Sequence, residues 1–167
     1  MALRYAMLSA ALAMLVAPSG PALADWQYTR WGMTPDEVKA ACACTMDVLT
    51  PEEIQQYTYG KGRALLKTTY TSGEHRFTAR FVFGKSDGLL SRVELLLNAD
   101  SDVFSLKRDL LEKYGKPSEE KKTKFSEMYW WHTPSGRVYY FLAGSIKTGF
   151  SGHIEYYAPR TSSVGGL

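Results

Sequence analysis

The residues most capable of chemistry by type and spacing are Cys42 and Cys44, the only cysteines of the chain, in the run Cys42-Ala43-Cys44-Thr45-Met46. Two thiolates with a thioether from Met46 or Met33 form a soft ligand set suited to Cu(I). In an oxidising compartment the same pair closes a disulfide. Partners two apart on a helix point to nearly opposite sides, so a bridge requires extended or kinked backbone and is strained and readily reduced. Cross-linking to another chain, a plain structural bridge and buried inert thiols are the other readings of the pair.

No catalytic centre is legible elsewhere. His75, His132 and His153 lie in or at the ends of predicted strands, with no short ligand spacing between them. The fingerprints of serine hydrolases, zinc proteases, phosphate-binding loops and dinucleotide-binding turns are missing from the sequence. The expectation is a protein without cofactor that is not an enzyme.

Aromatic residues offer the better lead. Tyr129, Trp130, Trp131, Tyr139, Tyr140, Tyr156 and Tyr157 fall in three predicted strands, with His132 and Phe141 among them. Neighbours on a strand face opposite ways, so Trp130 and Trp131 cannot both enter one core. The same holds for Tyr139 with Tyr140 and Tyr156 with Tyr157. One member of each pair is expected under the helices and the other on an open face. There it contacts a protein partner or a ligand, or else only stabilises the sheet through cross-strand ladders.

The elements that must position these residues follow from periodicity. Residues 100–117 predict a helix, because Val103, Leu106, Lys107, Leu110, Leu111 and Tyr114 recur at three- and four-residue steps. Asp100, Ser101 and Asp102 suit its start, while Gly115 and Pro117 suit its end. Thr34-Pro35-Asp36-Glu37 and Thr50-Pro51-Glu52-Glu53 are capping-box starts for two short helices, with Val38 and Ala41 facing the core. Period-two patterns predict strands over 64–70, 77–83, 89–97, 125–132, 138–143 and 153–157, with a looser loop at 144–152. Two tandem units result, about 30–98 and 100–158, each a helix followed by three strands. The expected fold class is α+β: one antiparallel sheet, helices packed on one face, the other face partly open.

The first 24 residues read as a secretory signal peptide: Arg4, an apolar run from about Ala6 to Val16, then a small-residue cleavage site at Ala22-Leu23-Ala24. That run is too short to span a bilayer, and no other long apolar run exists. The expected location is periplasmic or secreted after cleavage near Ala24, leaving one domain over 25–158 and a flexible tail over 159–167. Loss of Arg4 lowers the net charge of +3 by one. That bias is too small for nucleic acid, which is not an expected partner. Lys61, Arg63, Lys67, Arg76, Arg80 and Arg92 recur along the first strands as an ordinary solvated face or an anion-binding one.

Trp31-Gly32-Met33-Thr34-Pro35-Asp36-Glu37-Val38 resembles the helix start of small bacterial envelope domains of the SmpA/OmlA and β-lactamase-inhibitory-protein kind. Leu110 to Pro117 adds to it, with a strand of the pattern F-V-F-x(5)-L-L-S-R-V-E-L between. The resemblance implies a helix-plus-antiparallel-sheet module that binds another envelope or secreted protein without catalysis. SmpA/OmlA proteins are lipid-anchored, and this chain lacks the acylated cysteine.

Overall fold

A computed structural model describes residues 26–60, 62–145, 147 and 149–159. The expected signal peptide, and the expected tail from residue 160 on, lie outside the described residues.

Two capping boxes open the chain. The Glu37 carboxylate accepts from the Thr34 N–H at 2.7 Å while the Thr34 hydroxyl accepts from the Glu37 N–H, starting α1 (Pro35–Ala41). Thr50 and Glu53 repeat the exchange at α2 (Pro51–Gln56). A third helix, α3 (Val103–Tyr114), starts at Asp102, whose carboxylate accepts from the Phe104 N–H at 2.9 Å. It stops at Gly115, where φ is 70°.

The strands are β1 (Asp47–Val48), β2 (Thr58–Tyr59), β3 (Gly62–Ser72), β4 (His75–Gly84), β5 (Leu90–Leu97), β6 (Glu119–Lys122), β7 (Ser126–Thr133), β8 (Gly136–Ser145) and β9 (Gly149–Tyr157). They form one antiparallel sheet in the order β1-β3-β4-β5-β9-β8-β7-β6, with β2 also beside β3.

This corrects the α+β expectation: the protein is mainly β. Three findings overturn the two helix–three-strand units. First, β9 returns to pair with β5, Val93 opposite Tyr156 and Leu95 opposite Ile154, so the sheet runs unbroken between the supposed halves. Second, α3 is followed by four strands, because the charged run Glu119–Lys122 pairs with β7. Third, the helices do not all share a face, although α1 buries Val38 in the same core as α3. α3 presses Val103, Leu106 and Leu110 into the main core, whereas Ile54 of α2 packs on a separate cluster of Leu49, Ala64 and Val82. Short helices beside long strands cannot form a layer that balances the sheet.

The sheet is wider than its helices can cover. Strands stand roughly 4.8 Å apart, so its width is on the order of 30 Å. A 12-residue helix is only about 18 Å long. α3 therefore covers part of one face, and the segment carrying Trp26, 5% exposed, covers another part. Two core aromatics pin α3 in place: the Trp131 indole N–H donates to the Gly115 carbonyl at 3.0 Å, and the Tyr140 hydroxyl donates to the Val103 carbonyl at 3.0 Å.

Candidate functional site

Alternation divides the seven aromatics between the two faces of the sheet. Tyr129, Trp131 and Tyr140 are buried on the α3 side, and Tyr156 packs against the same core. Trp130, Tyr139 and Tyr157 point the other way and are half-exposed. The structure thus brings three of the expected binding residues together on the open face and turns the other four into scaffold or core.

Register supplies their neighbours. One row crosses the sheet as Lys67, Arg80, Glu94, Glu155, Tyr139, Trp130 and Glu119. The row beside it reads Val82, Arg92, Tyr157, Arg137 and His132. On the other flank lie Leu96, His153, Phe141 and Met128. Trp130 stacks on Tyr139 with ring centroids 5.2 Å apart, and His153 lies 5.9 Å from Tyr139 and 5.2 Å from Phe141.

The charges of Arg80, Arg92, Glu94, His153 and Glu155 are paired with one another on this face. Arg80 reaches Glu94 at 3.0 Å, Arg92 reaches Glu94 at 2.6 Å and Glu155 at 3.9 Å, and His153 Nε2 lies 3.3 Å from Glu155. The Tyr157 hydroxyl donates to Glu155. Burial raises the Glu155 carboxyl, but His153, Tyr157 and Arg92 outweigh it and hold the group below its ordinary value. Burial, with the bond to Glu155 adding to it, pushes the Tyr157 hydroxyl up to about 12. Burial opposes the charge of Arg92, yet Glu94 and Glu155 prevail and raise it. Lys67, 2.5 Å from Glu53, is paired as well. Lys67, Arg80 and Arg92 are therefore not a solvated basic face, and Arg80 is only 8% exposed.

Towards the β7–β8 end the face dips into a recess of about 570 Å³, lined by Glu119, Trp130, His132, Arg137, Tyr157 and Pro159. Arg137 lies over the Tyr157 ring at 4.6 Å, and Arg92 approaches the same ring at 5.5 Å. A lining that combines Trp130 and Tyr157 with the Arg137 side chain suits an acidic or aromatic side chain. Sequence reasoning missed Arg92, Arg137, Glu155 and His153 as members of this surface. Their signal was strand parity, but parity places them beside Trp130 only once the pairing register is known.

The cysteines are bridged, Cys42 to Cys44, with Cα atoms 5.1 Å apart. Cys42 caps α1 with extended backbone, φ −82° and ψ 120°, so the bridge forms off the helix. Cys44 is exposed, with the Tyr28 hydroxyl and Thr68 Oγ1 each 3.7 Å from its sulfur. Met46 is half-buried against the main core, and Met33 sulfur accepts the Arg30 N–H at 3.4 Å. A bridged pair offers Cu(I) no thiolate until it is reduced. Among the described residues no three of His, Cys, Asp and Glu gather as a metal would need, and the histidines divide between faces. His75 is bound to Asp109 of α3 at 2.9 Å, while His153 is on the open face. Comparison with family models, with curated proteins and with solved structures gives no significant match.

Proposed function

We propose that this protein is a non-enzymatic binding module that docks another envelope or secreted protein on the open sheet face. One observation carries the reading. Trp130, Tyr139 and Tyr157, with Arg92 and Arg137 on either side of Tyr157, line a part of that face that none of the three described helices covers. Trp, Tyr and Arg are the residues that dominate binding energy at protein interfaces. Their mutual stacking and ion pairing hold them in place before a partner arrives, which lowers the entropic cost of docking. The recess beside Arg137 would take an acidic side chain of the partner. Action in the periplasm or outside the cell, after cleavage near Ala24, belongs to the same proposal and rests on the leader sequence.

The test is capture from envelope extract on immobilised protein, comparing the natural chain with a Trp130→Ser/Tyr139→Ser double variant. The double variant keeps a cooperative thermal transition, since both side chains lie outside the main core. A partner held by the natural chain should be lost, with affinity reduced a hundredfold or more, about 2 kcal/mol or above for each anchor. Equal capture by both proteins refutes the docking face.

A further inference from the structure

The chemistry that the docking face leaves unused is the Cys42–Cys44 bridge. As a structural cross-link it does little. Its cysteines are two positions apart, so closing the loop takes little entropy from the unfolded chain. Cys42 caps α1 and Cys44 stands in the connection to β1, and neither belongs to a core cluster. α1 is held without the bridge, by the Thr34–Glu37 capping box and by Val38, which is fully buried in the main core. The bridge can therefore open and close within the folded protein.

The two sulfurs are not equivalent. Cys42 is half-buried and Cys44 is exposed, which directs an incoming thiolate to Cys44. Cys44 also has a donor beside it. The Tyr28 hydroxyl lies 3.7 Å from its sulfur and meets no other hydrogen-bond partner among the described residues. Thr68 Oγ1 is at the same 3.7 Å, but its proton goes to the Thr45 carbonyl at 2.7 Å. A bridged sulfur has no proton, so Tyr28 donates. Burial raises the Tyr28 hydroxyl above its ordinary value and keeps it protonated. A disulfide sulfur is a weak acceptor and a thiolate a strong one, so this contact strengthens on reduction. Tyr28 thereby favours the open, reduced form.

We infer that the Cys42–Cys44 bridge is a thiol–disulfide exchange site that oxidises an exposed dithiol of another protein, with Tyr28 donating to the Cys44 thiolate that is released. One client thiolate attacks Cys44 Sγ, the bond to Cys42 breaks, and its electron pair leaves on Cys42. The second client thiolate attacks the client sulfur of the mixed disulfide, and that electron pair leaves on Cys44. The client gains a disulfide, and the bridge gains two electrons and two protons from the client's two thiols. A dithiol is required, because Cys42 beside the mixed disulfide recloses the bridge and expels a monothiol. Thr68, which Cys44 touches, shares the main-core face of the sheet with Leu66 and Tyr70. Exchange there neither requires docking on the opposite, Trp130 face nor is required by it.

Dithiothreitol, glutathione and a reduced peptide whose two cysteines can close an unstrained loop are the probes, each added to the folded protein at about pH 8, near the ordinary thiol value. Bridge opening is read by alkylation and intact mass. Expected is complete opening by dithiothreitol with the cooperative thermal transition retained, and little net opening by glutathione at equal concentration. One peptide disulfide should form for each bridge lost. Tyr28→Phe should make the equilibrium constant for reduction by dithiothreitol about tenfold less favourable, the scale of a hydrogen bond to a charged group. The same variant should move the ultraviolet thiolate titration of the reduced protein to higher pH, which a merely structural hydroxyl would not do. Trp130→Ser/Tyr139→Ser, on the other face, should leave exchange unchanged. A bridge that resists dithiothreitol until the protein unfolds overturns the inference, and so does a peptide that stays reduced. Both measurements use the natural chain and stand whether or not a variant folds. An unchanged equilibrium constant and thiolate titration in folded Tyr28→Phe overturns the part assigned to Tyr28.

Discussion

Glu155 is the residue on which the open face depends. It receives the Tyr157 hydroxyl, lies 3.3 Å from His153 and 3.9 Å from Arg92, and its side chain is 14% exposed. Its pKa is depressed on folding, so the linked stability is fully present above the unfolded carboxylate value, about 4.3, and is lost as pH falls through the folded one. Glu155→Gln keeps the shape and most hydrogen-bonding capacity but removes the charge. It should cost about 2 kcal/mol at pH 7, the scale of a charge-assisted hydrogen bond. In the natural protein that advantage vanishes at low pH, when Glu155 itself is protonated. Urea unfolding at pH 7 and pH 3 should therefore show a gap between the two proteins at pH 7 that narrows at pH 3. A gap of equal size at both would mean that the Glu155 charge contributes nothing to folding.

Among the elements, the β7–β8 hairpin bears most directly on the open face, because Trp130, Arg137 and Tyr139 all stand on it. Its turn depends on Gly136, which has φ of 138° and a backbone so close to Tyr157 that a Cβ would run into the Tyr157 carbonyl. Gly73, in the β3–β4 turn, also has positive φ, 57°, but open space around it. Gly73→Ala should cost about 1 kcal/mol from backbone strain alone. Gly136→Ala adds a backbone collision and should cost about 3 kcal/mol, as expected of an overpacked site. Thermal melts of the two variants check the ordering, and equal losses would show that the contact with β9 is not tight. Thr133-Pro134-Ser135-Gly136 is readable as this turn from composition, and the capping boxes at Thr34 and Thr50 are readable because capping is local chemistry. Glu119–Lys122 is not readable as a strand: four consecutive charged residues carry no alternation, and the run is a strand only because β7 offers it an edge. The placement of α2 is hidden for the same kind of reason. Its start is local, but its face is set by Leu49, Ala64 and Val82.

At the scale of the whole molecule, the decisive contact is the seam between β5 and β9, from Arg92 opposite Tyr157 to Leu96 opposite His153. Nothing local announces it. β5 reads equally well as the last strand of one unit, and β9 as the last strand of another. The long sequence separation of the partners hides their pairing and makes two tandem units look natural. The same seam joins the charges of the first meander, Arg80 and Glu94, to the aromatics of the second, so the open face is created by closure and belongs to neither half. It also joins the cores: Val93, fully buried, lies opposite Tyr156 in the cluster that contains both Phe81 and Tyr140. A continuous core of this kind should unfold as one unit. Val93→Ala removes two methyl groups at the seam and should cost about 2–3 kcal/mol by the cavity it leaves. Native-state hydrogen exchange then provides the check. The slowest amides of β4 and of β8 should lose the same free energy in the variant, because both exchange only through global opening. Loss confined to one of the two strands would show that the meanders open independently, and that the sheet is a docking of two units instead of a single fold.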